Sequence, residues 1–227
     1  MKNQINFKVY GRRALFSDPL TRVGGEKCSY QIPTYEAMKG ITQAIYWKPT
    51  LIWVIDRIRV MRVVKMAPQN MKLLKYYKEG SDLSVYTYLS DVEYQVQAHF
   101  EWNRQREDLE QDRNEGKHYQ IALRSLARGG RRDICLGTRE CQAYVEPCVF
   151  GEGAGDYDHT PLMTFGLMYH GIDYPSETGK SEIGIRFWKP EMKNGVVDFL
   201  RPEQCPHVKK GRSVQAILPK TSGWAGA

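Results

Sequence analysis

Four stretches of the chain have the pattern of β-strands, in which apolar and polar residues alternate when one face of a sheet is buried. The pattern is clearest over residues 91–102, where every second side chain is apolar. Residues 4–16 and 51–64 follow it less regularly, and a further strand is predicted within residues 133–149. These four segments are expected to form the main sheet.

Two segments between these strands have apolar residues at the three- and four-residue steps of a helix. The first runs from Thr34, a good N-cap, to Ile45, and Pro49 stops it. The second is predicted over residues 117–128, and it ends at two glycines because glycine tolerates backbone angles that other residues avoid. Its apolar residues are Tyr119, Ala122, Leu123, Leu126 and Ala127.

The resulting order of strand, helix, strand, strand, helix, strand is typical of the ferredoxin-like fold on which RNA-recognition domains are built. We therefore predict an α+β protein with a ferredoxin-like (RRM-like) domain over residues 1–150. Residues 151–227 are expected to form a small antiparallel β-sheet extension, with a hairpin turn at Asn194-Gly195. Residues 66–90 are predicted to be a connector with a short helix. The tail from Arg201 is expected to be ordered only if something covers it.

The balance of charge favours an anionic partner. The chain has 227 residues, and 33 lysines and arginines against 26 acidic residues give a formal charge of +7. Fourteen tyrosines and five tryptophans offer surfaces on which nucleic-acid bases can stack. An anionic membrane would be the competing partner, but no apolar run is long enough to span a bilayer. Nucleic acid is therefore the better expectation.

The N-terminus and the cysteines suggest a reducing compartment. The first residues have no apolar signal core, so a cytoplasmic location is expected. The five cysteines are an odd number without a C-x-x-C pair, and we interpret them as free thiols, with neither disulfides nor a zinc site.

Basic residues surround the second predicted helix. Lys117 and His118 lie at its N-terminus, where unpaired N–H groups and the helix dipole attract anions. Beyond its C-terminus, Arg131, Arg132 and Arg139 add three cations. An RNA phosphate is one hypothetical ligand of this stretch, although these residues alone favour a simpler interpretation, a solvated basic helix end.

Tyr46 extends this candidate site. In a ferredoxin-like fold both helices pack on one face of the sheet, so Tyr46, after the first helix, is expected near Lys117 and His118. A phenol, an ammonium group and an imidazole suffice for RNA cleavage without a metal, because they can move protons and stabilise charge on phosphorus. A tyrosine with a pKa of about 10 is a poor base unless nearby cations lower that pKa. Which group is acid and which is base stays open.

Four stretches of sequence carry a resemblance, namely GRRALFSDP (11–19), QAIYWKPT (43–50), YLSDVEY (88–94) and GGRRDICLGTREC (129–141). Together they resemble one known family, the CRISPR-associated repeat-processing endoribonucleases of type I-C (Dvulg) systems in the RAMP superfamily.

The resemblance implies an endoribonuclease that cuts CRISPR repeat hairpin RNA and then stays bound as a subunit of the interference complex, with the other subunits as partners. It implies Tyr46, Lys117 and His118 as the catalytic residues. No metal or other cofactor is expected, and attack by the RNA's own 2′-hydroxyl would leave a 2′,3′-cyclic phosphate. The residues expected to contact RNA are Arg131, Arg132, Arg139, Lys48 and Arg124.

Two alternatives to this interpretation remain. One is a non-catalytic subunit that only binds the guide RNA. The other is a metal-dependent nuclease, which would need clustered carboxylates that the sequence does not display.

Overall fold

Strands dominate the part of the chain that the structure, a computed structural model, describes, namely residues 3–77 and 79–213. In chain order the elements are β1 (Gln4–Ala14), α1 (Pro19–Val23), β2 (Lys27–Cys28), α2 (Tyr35–Ile45), β3 (Leu51–Val60), β4 (Met66–Leu74), β5 (Ser81–Trp102), a 3-10 helix (Glu107–Asp112), α3 (Glu115–Ala127), β6 (Ile134–Cys135), β7 (Gln142–Pro147), β8 (Met163–Thr164), β9 (Met168–Asp173), α4 (Pro175–Thr178), β10 (Glu182–Trp188), β11 (Glu191–Lys193), β12 (Val196–Asp198), a second 3-10 helix (Pro202–Gln204) and β13 (His207–Ser213). They form a large, mainly antiparallel sheet and a separate three-stranded sheet, so the predicted α+β class is confirmed.

Four antiparallel strands form the centre of the large sheet, in the spatial order β7, β1, β5, β3. Val9 of β1 lies opposite Tyr94 of β5 on one side and opposite Val145 of β7 on the other. These three side chains belong to one hydrophobic core together with Met38 of α2 and Leu126 of α3. Helix α2 contacts β3, α3 contacts β1 and β7, and the two helices contact each other. Both helices therefore cover the same face of the sheet.

Helix α2 is bounded by the residues that the sequence indicates. The Thr34 hydroxyl accepts a hydrogen bond from the Ala37 N–H at 3.2 Å, which caps the helix start. Tyr46 follows the last helical residue with an extended backbone, φ −157° and ψ 130°. Its carbonyl accepts a 2.7 Å hydrogen bond from the indole N–H of Trp53, so the end of α2 is tied to β3.

Helix α3 starts two residues earlier than predicted. The side chain of Asn114 accepts a hydrogen bond from the Lys117 N–H at 3.0 Å and caps a helix that begins at Glu115. Lys117 and His118 therefore lie within its first turn rather than at its first two positions. Its predicted end is confirmed, since Gly129 and Gly130 have φ values of +83° and +101°.

The prediction of a connector over residues 66–90 is wrong. This region is a β-hairpin in which β4 pairs with the first half of β5, a strand of 22 residues. The hairpin has no consistently buried face, and Leu74, Tyr76 and Tyr77 are at least four-fifths exposed. Alternation marks a strand only when one face is buried, so the pattern could not reveal this hairpin.

The residues after 150 contribute to both sheets. Strands β8, β11 and β12 extend the large sheet beyond β3, whereas β9, β10 and β13 form the small antiparallel sheet. Asn194 and Gly195 have positive φ values and join β11 to β12, as the predicted hairpin requires. The tail predicted from Arg201 includes β13, which pairs with β10. Residues 214–227 lie outside the described part, and the division at residue 150 stays a prediction.

All five cysteines lie within the described residues, where they are free thiols. Over residues 3–77 and 79–213, no helix combines the length and the apolar character needed to cross a membrane.

Candidate catalytic site

The ends of the two long helices meet and bring two predicted site residues into contact. The hydroxyl of Tyr46 lies 2.7 Å from Nδ1 of His118, within hydrogen-bond distance. Tyr46 comes from the C-terminal end of α2, and His118 from the first turn of α3. Both residues are fully buried. The pair is therefore preorganised and shielded from water.

The contacts of the His118 ring define its tautomer. Nε2 lies 2.7 Å from the backbone carbonyl oxygen of Asp112. A carbonyl only accepts, so Nε2 carries a hydrogen, and in the neutral ring Nδ1 accepts the hydrogen bond from the Tyr46 hydroxyl. Trp102 and Phe100 pack edge-on against the ring, with centroids at 5.7 and 6.4 Å. His118 can thus receive a proton from Tyr46 without rearranging.

The Asp112 carboxylate lies beside Lys117, Thr50 and His118. The sequence did not single out this residue. One carboxylate oxygen lies 2.6 Å from Nζ of Lys117, and the other accepts a 2.9 Å hydrogen bond from Thr50. These contacts, with Lys117 first, lower the pKa of Asp112 below its ordinary value. Lys117 is half exposed, and the carboxylate that holds it also lies 3.4 Å from Nε2 of His118. An anion thus already occupies the space beside Lys117.

The pKa of Tyr46 is raised above its ordinary value. Burial is the main cause and Asp112 adds to it, while the guanidinium of Arg131, 5.0 Å above the Tyr46 ring, acts in the opposite direction. A tyrosine can act as a base at neutral pH only if nearby cations lower this pKa. The structure supplies one, but desolvation outweighs it, so Tyr46 is a protonated phenol at neutral pH.

The loop that follows α3 is fastened to the end of α2. The backbone N–H groups of Arg131 and Arg132 both donate to the carbonyl oxygen of Ala44, each at 3.1 Å. The side chains of both arginines are exposed. The backbones of both arginines therefore lie beside the end of α2, and the Arg131 guanidinium partly covers Tyr46.

The other three predicted RNA-binding residues lie apart from this cluster. Lys48 is in the turn after α2, Arg124 is on the exposed side of α3, and Arg139 is in the turn between β6 and β7. Within the described residues, neither an ion pair nor a side-chain hydrogen bond joins any of the three to Tyr46, Lys117 or His118. Their contact with RNA stays a prediction.

The side chains at this site are suited to moving protons and holding an anion. In the part of the chain that the structure describes, no group of three or more His, Cys, Asp or Glu side chains is arranged to hold a metal ion.

Comparison with known proteins points to one family. A family model described as CRISPR-associated protein (Cas5), for the Cas5d family, matches residues 4–200. A protein of Mannheimia succiniciproducens named CRISPR pre-crRNA endoribonuclease Cas5d is 29% identical over an aligned length of 242 residues, gaps included, and the match covers 92% of this chain and all of that protein. A protein of the same name from Thermus thermophilus is 40% identical over 60 residues, 26% of this chain and 25% of that protein.

Two solved structures share the fold. A crystal structure of a CRISPR-associated protein has a TM-score of 0.76 and 34% identity, covering 91% of this chain and 96% of the other. A functionally uncharacterized protein from Streptococcus mutans has a TM-score of 0.75 and 35% identity with the same coverage.

Proposed function

The chain belongs to the Cas5d family of CRISPR-associated proteins, and from this membership we propose that it is an endoribonuclease that cuts CRISPR repeat hairpin RNA in the cytoplasm. The relative that matches over its whole length is named for pre-crRNA cleavage. The observation that carries the proposal is the 2.7 Å contact between the Tyr46 hydroxyl and His118 Nδ1, beside the half-exposed Lys117. The protein then stays on the processed RNA as a subunit of the interference complex.

In our proposal the RNA binds to a ferredoxin-like unit. Its parts are strands β1, β3, β5 and β7 with helices α2 and α3. The strand order and the packing of both helices on one face support this assignment. In such a unit the C-terminal end of the first helix and the N-terminal end of the second lie together, and the candidate catalytic residues belong to these helix ends.

The proposed reaction needs only the RNA and the protein's own groups. The 2′-hydroxyl oxygen bonds to the adjacent phosphorus, and the bond from phosphorus to O5′ breaks, leaving a 2′,3′-cyclic phosphate and a 5′-hydroxyl. The Tyr46–His118 pair takes the proton of the 2′-hydroxyl and returns a proton to O5′, so the protein ends in its starting state. Lys117 stabilises the negative charge that develops on the phosphoryl oxygens.

Access of the RNA to this pair requires two groups to move. Tyr46 and His118 are fully buried, and the groups that face solvent beside them are the Arg131 guanidinium and the Asp112 carboxylate. An RNA phosphate can replace both contacts, because it pairs with Arg131 and takes the place of the carboxylate beside Lys117. Substrate binding would thus open the site.

The same burial favours a second candidate, a subunit that binds the guide RNA without cutting it. In that case Tyr46 and His118 would be a structural pair that locks α2 to α3. The basic groups around them would still hold the RNA backbone. The two functions differ in one result, the appearance of a cleaved product.

The test is to incubate the pure protein with its own repeat hairpin RNA in excess EDTA. We expect one cut with a 2′,3′-cyclic phosphate end, and no cut in RNA that carries a single 2′-deoxy substitution at that position. Tyr46→Phe protein, purified in the same way, controls for contaminating nucleases. Binding without any cut would establish the second candidate. Cleavage that requires added magnesium, or that continues on the deoxy substrate, would overturn the mechanism.

A further inference from the structure

A groove of about 450 Å³ lies beside the candidate catalytic site. One wall is the loop of residues 129–133, which includes Arg131 and Arg132, and the other is formed by β7 with Tyr10 of β1. Arg131 is part of this groove, and its guanidinium also lies over the Tyr46 ring. A ligand in the groove would therefore adjoin the proposed cleavage site.

Tyr144 is the most exposed aromatic residue in this groove. Along β7 the side chains of Ala143 and Val145 are buried, whereas Tyr144 between them is 64% exposed. Tyr10 lies directly opposite in the strand register, and the two rings are 5.8 Å apart with a 34° angle between their planes. Within residues 3–77 and 79–213 the Tyr144 hydroxyl has no hydrogen-bond partner. Apart from this contact with Tyr10, neither packing nor hydrogen bonding within the described residues requires a tyrosine at position 144.

The charged side chains of the groove favour phosphate contacts on one side and base contacts on the other. On the loop wall Arg131 and Arg132 outnumber the one carboxylate, that of Asp133, so this wall can hold phosphates. On the strand side Glu146 accepts a 2.5 Å hydrogen bond from the Tyr10 hydroxyl and lies 3.4 Å from Nζ of Lys8. A carboxylate repels a phosphate but accepts hydrogen bonds from the N–H groups on the edge of a base. The strand side is therefore suited to a base and the loop side to the backbone.

From this arrangement we propose that Tyr144 is a stacking platform for one unpaired base of the bound RNA, with Tyr10 supporting its ring. The proposal rests on RNA being the ligand, as the proposed function holds. It goes beyond that function by assigning a base-binding position outside the cleavage residues. Arg131 lies beside both the groove and the proposed cleavage site, so the stacked base is close to the hairpin. Because the bases of the paired stem are already stacked on each other, this base belongs to the single-stranded RNA next to the hairpin.

The experiment compares Tyr144→Ala with Tyr144→Phe, which keeps the ring. The probes are the repeat hairpin with its single-stranded flanks and a set of RNAs with one abasic site at each flanking position. Loss of one stacked base weakens binding by about five- to 150-fold, and we expect this loss for Tyr144→Ala and none for Tyr144→Phe. One abasic RNA should bind wild type and Tyr144→Ala equally, since the base that the ring would contact is already absent.

The salt dependence of binding gives an independent readout. Stacking releases no counterions, so the slope of log Kd against log salt should stay unchanged in Tyr144→Ala. Equal affinities of wild type and Tyr144→Ala for the intact RNA would overturn the proposal, as would a loss that is the same for every abasic RNA.

Failure of this proposal is distinguishable from failure of the proposed function. If wild-type protein binds the RNA but never cuts it, nuclease activity is refuted, and the affinity comparison between wild type and Tyr144→Ala still tests the stacking proposal. Wild-type protein that cuts, together with Tyr144→Ala that binds normally, refutes the stacking platform and leaves the nuclease intact.

Discussion

The Tyr46 hydroxyl and His118 Nδ1 are 2.7 Å apart, although 72 positions separate the two residues in the chain. The contact exists because the end of α2 and the start of α3 meet on one face of the sheet. Burial strengthens the electrostatic interaction between the two groups and excludes competing water. Burial also means that access to the pair from solvent depends on Arg131 and Asp112, which lie between the pair and solvent.

Tyr46→Phe tests the hydroxyl alone, because the ring and its cation–π contact with Arg131 remain. We expect the single-turnover cleavage rate at saturating protein to fall by about a hundred- to ten-thousandfold, with nearly normal RNA affinity. His118→Ala should have the same effect on the rate, with an added loss of stability because the residue is fully buried. Thermal unfolding of both variants separates the two effects. A Tyr46→Phe protein with a wild-type rate would exclude the hydroxyl from the chemistry.

Arg131 and Arg132 are expected to differ, although they are adjacent. Arg132→Ala should lower only the affinity and reduce the salt slope by about one unit, with the wild-type rate at saturation. Arg131→Ala removes the proposed phosphate contact and also the cation that opposes the rise of the Tyr46 pKa. The limb of the pH–rate profile that depends on Tyr46 should therefore move to higher pH in Arg131→Ala only. Identical profiles for the two variants would contradict this assignment.

Asp112→Asn tests whether the carboxylate occupies the place of an RNA phosphate. The substitution keeps the backbone carbonyl that bonds His118 and removes the charge that holds Lys117. Because Lys117 is half exposed, we expect a modest gain, an affinity about two- to fivefold tighter, with a steeper salt slope. Thr50→Val serves as the matched control, since it loses a hydrogen bond to Asp112 without a change of charge. Weaker RNA binding by Asp112→Asn would show that the carboxylate positions Lys117 rather than competing with RNA.

His170 should make the folded state sensitive to mild acid. It is fully buried and stacks on Tyr35 at 4.3 Å; burial, and next the Arg186 guanidinium, lower its pKa to about 4. An unfolded histidine has a pKa of about 6.5, so its contribution to stability is complete above that value and is lost as the pH falls from 6.5 toward 4. The full loss is about 3 kcal/mol.

Denaturant unfolding at pH 7.5 and pH 5 measures this effect. His170→Gln cannot titrate but can still donate to the Leu200 carbonyl, which His170 Nε2 contacts at 2.9 Å. We expect wild type to lose more stability than His170→Gln between these pH values. An equal loss in both proteins would show that other groups cause the acid sensitivity.

The sequence by itself determined the features that depend on local preference. Thr34 caps α2, glycines end α3, and Asn194-Gly195 turns the hairpin, because each depends on the backbone angles or hydrogen bonds of a few neighbouring residues. Alternation located β1 and the second half of β5, where one face of the strand enters the core. The chemistry of their side chains and the family resemblance also marked Tyr46, Lys117 and His118 as candidate site residues, but not Asp112.

The tertiary structure decided what depends on contacts between distant residues. The hairpin of β4 and β5 buries no regular face, so hydrophobic pattern could not reveal it. His118 was expected at an open helix end, yet it lies on the buried side of α3 with Ala122 and Leu126, at four-residue steps that the sequence did contain. Its bond to Tyr46, the covering Arg131 and the carboxylate of Asp112 arise only when α2 packs against α3. Desolvation at that contact raises the pKa of Tyr46, and desolvation is a property of packing rather than of residue type.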